Sequence, residues 1–204
     1  MANLSNSVIG NQHIGRGQNI ISNTTFGCNS QNPSVSSNVG GCNTSMGVNS
    51  LKSLTTGVMN TAIGYKALCS VNIGSYNVAA GYNAGTTTTS GTNNTFLGAC
   101  AGLISNGTRL RNTAVGFLAM KSVDGNNNTA IGYCAMTRAT GVDTSSNNVA
   151  IGYKAGNYSS SNGNVTIGTC TRSYSAYNTI VGGGRYTSGI CSVQVGYGPG
   201  YTAG

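Results

Sequence analysis

The sequence predicts an all-β chain, a parallel β-solenoid or β-roll of about twelve short coils. Two observations carry that prediction. One five-residue motif recurs along nearly the whole chain, and β-branched residues, Asn and Gly are spread so densely that little room is left for helix.

The motif is Asn, a β-branched residue, a small residue, an apolar residue, then Gly. Its clear copies begin at Asn60, Asn77, Asn94, Asn112, Asn128, Asn148, Asn164 and Asn178. They close at Gly64, Gly81, Gly98, Gly116, Gly132, Gly152, Gly168 and Gly182. Weaker copies occupy 6–10, 23–27 and 43–47, and a last one with Ser192 in the Asn position ends at Gly196. That makes twelve copies in 204 residues, their closing glycines 14 to 20 residues apart. We expect one solenoid domain over 1–197, with degenerate coils in 1–50, regular coils in 51–197 and a Gly-rich tail at 198–204.

Stacking the copies gives columns. The residue before the closing Gly is apolar in every copy, and the residue two earlier is Thr or Val in all but the first. Side chains two apart on a strand share a face. That face is expected to be the interior, with Ile63, Val115, Ile131, Ile151 and Ile167 stacked as the structural core. The residue between them, mostly Ala, then points outward.

The closing Gly suits a positive φ or a close backbone approach. The Asn residues start each strand, tolerate a left-handed turn, and at ~4.8 Å spacing can bond one another as a ladder. A second segment after each Gly, as in Tyr65-Lys66-Ala67 and Tyr153-Lys154-Ala155, is expected to be a second short strand with the aromatic and the Ala on one face.

The repeated Asn-Thr-Ala-Ile-Gly-Tyr run resembles the head repeat of trimeric autotransporter adhesins, the YadA-like head. It also resembles repeats in bacteriophage tail fibres and in fibre proteins of large DNA viruses. The resemblance spans roughly 6–196. It implies a left-handed parallel β-roll, commonly a homotrimer, serving as a shaft or for surface attachment.

Only 6% of the residues are charged, against ~25% in ordinary domains. The formal net charge is +8, with Asp124 and Asp143 the only acids. Such a balance points either to an anionic partner or to plain solubility. Arg109, Arg111, Lys121, Arg138 and Arg172 are dispersed between repeats, which favours solubility and argues against nucleic acid. The seven cysteines are an odd count without CxxC spacing, so we expect no metal site. Cys100, Cys134 and Cys170 recur on alternate coils, too far apart for a disulfide within the chain, and read as buried thiols. Residues 1–5 have neither the charge nor the apolar core of a signal peptide, and no apolar run approaches a membrane helix. These features lead us to expect synthesis in the cytoplasm and no membrane insertion; the resemblance implies a place in an extracellular or virion-associated fibre.

Catalytic chemistry finds no constellation. His13 stands alone, Asp124 and Asp143 sit in separate turns, and Gly182-Gly183-Gly184-Arg185 lacks the Lys-Ser/Thr of a phosphate loop. We therefore expect no enzyme, no cofactor and no catalytic residue. The leading expectation is a self-assembling fibre or filament subunit, whose partner is itself, head to tail or as a trimer. The alternative is a receptor- or glycan-binding adhesin head using loops on one edge. Ice binding by a Thr array is a third class, disfavoured by the inward assignment of the Thr column.

Overall fold

The structure is a computed structural model. It describes residues 7–9, 12–15, 23–31, 40–103, 108–138, 144–157, 161–184, 186–198 and 201–202. Every element among them is a strand: β1 (Ser7–Ile9), β2 (Gln12–Gly15), β3 (Thr24–Gly27), β4 (Thr44–Met46), β5 (Thr61–Ile63), β6 (Val78–Ala80), β7 (Thr95–Leu97), β8 (Thr113–Val115), β9 (Thr129–Ile131) and β10 (Val149–Ile151), then β11 (Val165–Ile167), β12 (Arg172–Ser173), β13 (Thr179–Gly183), β14 (Tyr186–Thr187), β15 (Val193–Tyr197) and β16 (Tyr201–Thr202).

From β3 onward the motif strands pair in parallel, copy on copy, in one long sheet. Register follows the motif: Thr61 pairs with Val78, Ala62 with Ala79 and Ile63 with Ala80. The chain is thus a parallel β-solenoid of about nine turns, slightly fewer than twelve. The difference arises partly at the start. The first copy forms β1, which pairs antiparallel with β2, and β2 pairs antiparallel with β3. This hairpin extends the sheet without making a coil. The copies at 23–27 and 43–47 are ordinary rungs of the sheet despite their degenerate sequence. At the other end Tyr201–Thr202, within the Gly-rich tail, joins β12 and β14 in a small parallel sheet.

The sidedness expected from the sequence is reversed. Ile63 is 42% exposed and Ile131 39%, Ile151 is also exposed, and Val115 and Ile167 are only half-buried. The column between them, Ala62, Ala79, Phe96, Ala114, Ala130, Ala150, Thr166 and Ile180, is buried instead. The physical reason lies in the opposite wall of the coil. That wall sends in Ala67 and Leu68, Ala84, Ala119 and Met120, with Leu54, Val71 and Val123 behind them. Leucine and methionine from one wall leave space for little more than a methyl group from the other, because interiors pack without voids. Where the Ala column holds Phe96, the facing positions shrink to Gly85 and Gly102, and a Cβ on Gly85 would meet the Phe96 ring at 2.6 Å.

The opposite wall is not a second strand. Lys66 and Leu68 have φ of 55° and 48°, a left-handed conformation repeated at Asn83, Leu118, Met120, Cys134, Met136 and Lys154. Their N–H groups bond in alternating directions: Lys66 donates to Val48 O at 2.9 Å in the coil before, and Leu68 to Ala84 O at 3.0 Å in the coil after. Each left-handed non-Gly residue costs about 1–2 kcal/mol, which the inter-coil bonds and burial offset. The same turn separates Tyr65 from Ala67. The aromatic is exposed and the Ala buried, so they do not share a face.

At the corner between sheet and turn, Gly64 has φ 123°, and a Cβ there would meet Gly81 O at 2.6 Å. The anchor glycines therefore stack backbone on backbone. At the other corner the left-handed residue is not the motif Asn but the residue before it: Met59, Tyr76, Asn93, Arg111, Asn127, Asn147 and Tyr177.

The Asn column lies inside. Asn60, Asn77, Asn94, Asn112, Asn128, Asn148, Asn164 and Asn178 are all buried. Each Asn Oδ1 accepts the backbone N–H of the next, from Asn23 through Asn178 to Ser192, at 2.8–3.0 Å. Each amide also donates: Asn60 Nδ2 reaches Asn43 Oδ1 at 3.1 Å and Gly74 O at 2.8 Å. The ladder thus satisfies the backbone where the coil turns, in a place water does not reach.

Candidate functional site

With the Ala column inside, the outer face of the long sheet carries two parallel columns. One is Thr44, Thr61, Val78, Thr95, Thr113, Thr129, Val149, Val165 and Thr179; the other is Met46, Ile63, Ala80, Leu97, Val115, Ile131, Ile151, Ile167 and Val181. All of these are half-buried or exposed. The result is one continuous, largely apolar and uncharged face. A contiguous patch of this kind differs from the singly scattered apolar residues of an ordinary surface. The Thr column faces outward, so its orientation does not count against ice binding. What still speaks against it is the second column, where Met46, Leu97 and Ala80 break any regular array.

Just past the anchor glycines runs an aromatic edge. Tyr65 stacks on Tyr82 with centroids 5.4 Å apart. Phe117 stacks on Tyr133 at 5.5 Å, and Tyr133 on Tyr153 at 5.3 Å. Lys66 Nζ lies 5.2 Å from the Tyr65 ring centre and Lys154 Nζ 5.1 Å from that of Tyr153. Regular stacking gives these rings a structural role. All five remain exposed, so they also form the rim of the outer face.

One cation expected on the surface is in the core. Arg109 is fully buried, three residues before Asn112 in a column that is otherwise Gly or Ser in the clear copies: Gly57, Gly74, Gly91 and Gly125, then Ser145, Ser161 and Ser175. Its guanidinium lies 5.0 Å from the Phe96 ring centre and donates to Gly102 O at 2.6 Å and to Thr88 Oγ1 at 3.1 Å. Nε and Nη1 find no partner. Burial pulls its pKa down to about 10, opposed by attraction to Asp124. Burial in turn holds the Asp124 carboxyl above the usual carboxylate range, with Arg109 acting against that shift. Asp124 is thus coupled to the core and is more than a turn residue. Comparing the column three residues before each Asn reveals the Arg109 exception in the sequence.

The remaining candidates stay apart. His13 pairs through its backbone with Val8 and Gly27. Asp143 and Arg185 lie outside the described residues, as do the loop segments 104–107 and 139–143. All seven cysteines are free; Cys134 is buried, Cys100 and Cys170 are half-buried, and Cys42 and Cys191 are exposed, so burial does not hold for all of them. Burial raises the Cys69 pKa against the pull of Lys52 and Lys66. Among the described residues no group of three or more His, Cys, Asp or Glu stands together as metal ligands, and no helix is long and apolar enough to cross a membrane.

Fold and surface together define a β-solenoid repeat protein. No family model, curated protein or solved structure matches the chain.

Proposed function

We propose that the protein is a structural subunit that self-assembles through the outer face of its long sheet, as a building block of a virion-associated or extracellular fibre. The observation that carries this is the unbroken outward apolar face. About nine coils at ~4.8 Å give a face roughly 43 Å long. Across two side-chain columns and the aromatic rim, roughly 15 Å, that is ~650 Å² per partner, close to the ~800 Å² of a stable interface. The favoured partner is a second copy. A surface repeating every ~4.8 Å is matched coil after coil only by another surface with that period. Lateral packing of this kind agrees with the trimer implied by the adhesin-head resemblance.

Sedimentation and electron microscopy of the purified protein test the reading. We expect a discrete oligomer or fibres. Ile63→Asp combined with Ile131→Asp should give monomers whose circular dichroism is unchanged. A monodisperse wild-type monomer at high concentration would refute self-assembly.

A further inference from the structure

The aromatic edge has a gap. Rings follow one another at Tyr65 and Tyr82, and again at Phe117, Tyr133 and Tyr153, each about one coil from the next. The coil between the two runs carries Ala99 in that column. Tyr82 and Phe117 therefore face each other across one missing rung, with the half-buried Ala99 as the floor. Tyr82 is 55% exposed and Phe117 45%. Tyr133 has a ring stacked on each of its faces. At this gap one run ends on Tyr82 and the next begins on Phe117, with no ring stacked between them.

We propose that this slot is a binding site for one pyranose ring of a saccharide, held between the faces of Tyr82 and Phe117. Two coil spacings separate the walls by about 9.6 Å along the solenoid. A flat aromatic guest touching both walls at carbon–carbon contact distance needs only about 7–8 Å. The extra width suits the puckered chair of a pyranose, whose axial C–H bonds thicken it. The chemistry is complementary as well. An aromatic face is the negative side of the ring quadrupole, and the C–H face of a sugar presents weakly positive hydrogens. A guest at the midpoint lies ~5 Å from each ring centre, within the usual range of stacked rings. A nucleic-acid strand fits less well, because strands are held by successive stacking platforms beside a basic track. Here there is a single slot, and its nearest rim residues, Asn83, Cys100 and Leu118, carry no charge.

The site lies on the rim beside the assembly face and does not depend on self-association. Its affinity as a single shallow slot should be weak, in the millimolar range. Repetition along a fibre would raise it through multivalency.

Saturation-transfer NMR with cellotetraose, chitotetraose and maltotetraose, one at a time, is the test. We expect transfer to at least one of them with a millimolar Kd. Ala99→Tyr completes the ladder and should abolish it. Phe117→Ala removes a wall and should weaken binding at least tenfold. Tyr153→Ala, at the far end of the run that Phe117 begins and away from the slot, should leave it unchanged. The monomeric Ile63→Asp, Ile131→Asp protein should bind as the wild type does, which separates failure of this site from failure of self-assembly. Undiminished binding by Ala99→Tyr would overturn the site. So would the absence of transfer to all three saccharides, or protection of the slot by phenol alone, which would assign it to a flat aromatic guest.

Discussion

Ala130 and Ile131 are neighbours in β9 and stand on opposite sides of the coil wall: the alanine is fully buried, while the isoleucine is 39% exposed. The smaller residue makes the core and the larger one makes the surface. Ala130→Asp should therefore abolish folding, since an unpaired buried charge costs several kcal/mol. Ile131→Asp should change monomer stability by no more than about 1 kcal/mol, as surface substitutions do. Urea denaturation of the two variants checks this. Equal loss in both would restore Ile131 to the interior.

The ladder predicts a pH-dependent variant. Asn128 Oδ1 accepts the Asn148 N–H at 2.9 Å, and its amide donates to Ser145 O at 2.9 Å. Asn128→Ala strands both groups, at ~1–3 kcal/mol each. Asn128→Asp keeps an acceptor but buries a charge and loses the donor, so at neutral pH it should be the less stable of the two. Burial favours the protonated form of the new carboxyl. Its folded-state pKa is then raised, and stability returns as pH falls. Thermal melts of both variants from neutral to acid pH should show the gap closing.

Arg109 separates packing from charge. Arg109→Met keeps most of the volume and removes a guanidinium with two unpartnered nitrogens. Its effect should be neutral or stabilising, up to a few kcal/mol. Arg109→Ala leaves a cavity beside Phe96 and should cost ~2–4 kcal/mol. Calorimetry distinguishes them; Arg109→Met destabilising as much as Arg109→Ala would mean that the charge itself holds the coil together.

Asp124 adds a modest acid-side slope. Its folded-state pKa is raised above the ordinary 3.8 by burial. In the window just above 3.8 the folded chain holds more protons than the unfolded one, so stability falls as pH rises through the folded-state value. The carboxyl is only partly buried, so the slope is shallow. Asp124→Asn should flatten it in denaturation midpoints taken across that window.

The parts of this fold that serve the backbone were legible in the sequence. Asn60 and Gly64 recur because a buried turn needs an amide of one length and a corner needs no Cβ; Ser192 takes the Asn position only in the last copy. Sidedness was not legible from alternation. A period of two states which residues share a face, but not which face is inside. The cue was volume: Leu68 and Met120, entering from the turn, fill a thin interior that admits Ala62 and Ala114 but not Ile63 or Val115. Leu68 itself was hard to place because its φ of 48° breaks the alternation of an extended segment. The pairing of Phe96 with Gly85, Gly102 and Arg109 became readable only once the interior column was known. The slot at Ala99 needed the aromatic column alone, but its meaning depended on that column lying outside.

Because the contacts of each Asn and each anchor glycine reach no further than the adjoining coils, the molecule can be lengthened or shortened in whole units. Removing residues 61–77 would join Asn60 to Val78, and the amide of Asn94 would then meet Asn60 as it now meets Asn77 at 3.0 Å. The product should fold and be shorter by one rung, ~4.8 Å, in small-angle scattering. A gene built this way carries a ruler whose graduations unequal crossing-over can add or erase one at a time, without inventing a new contact.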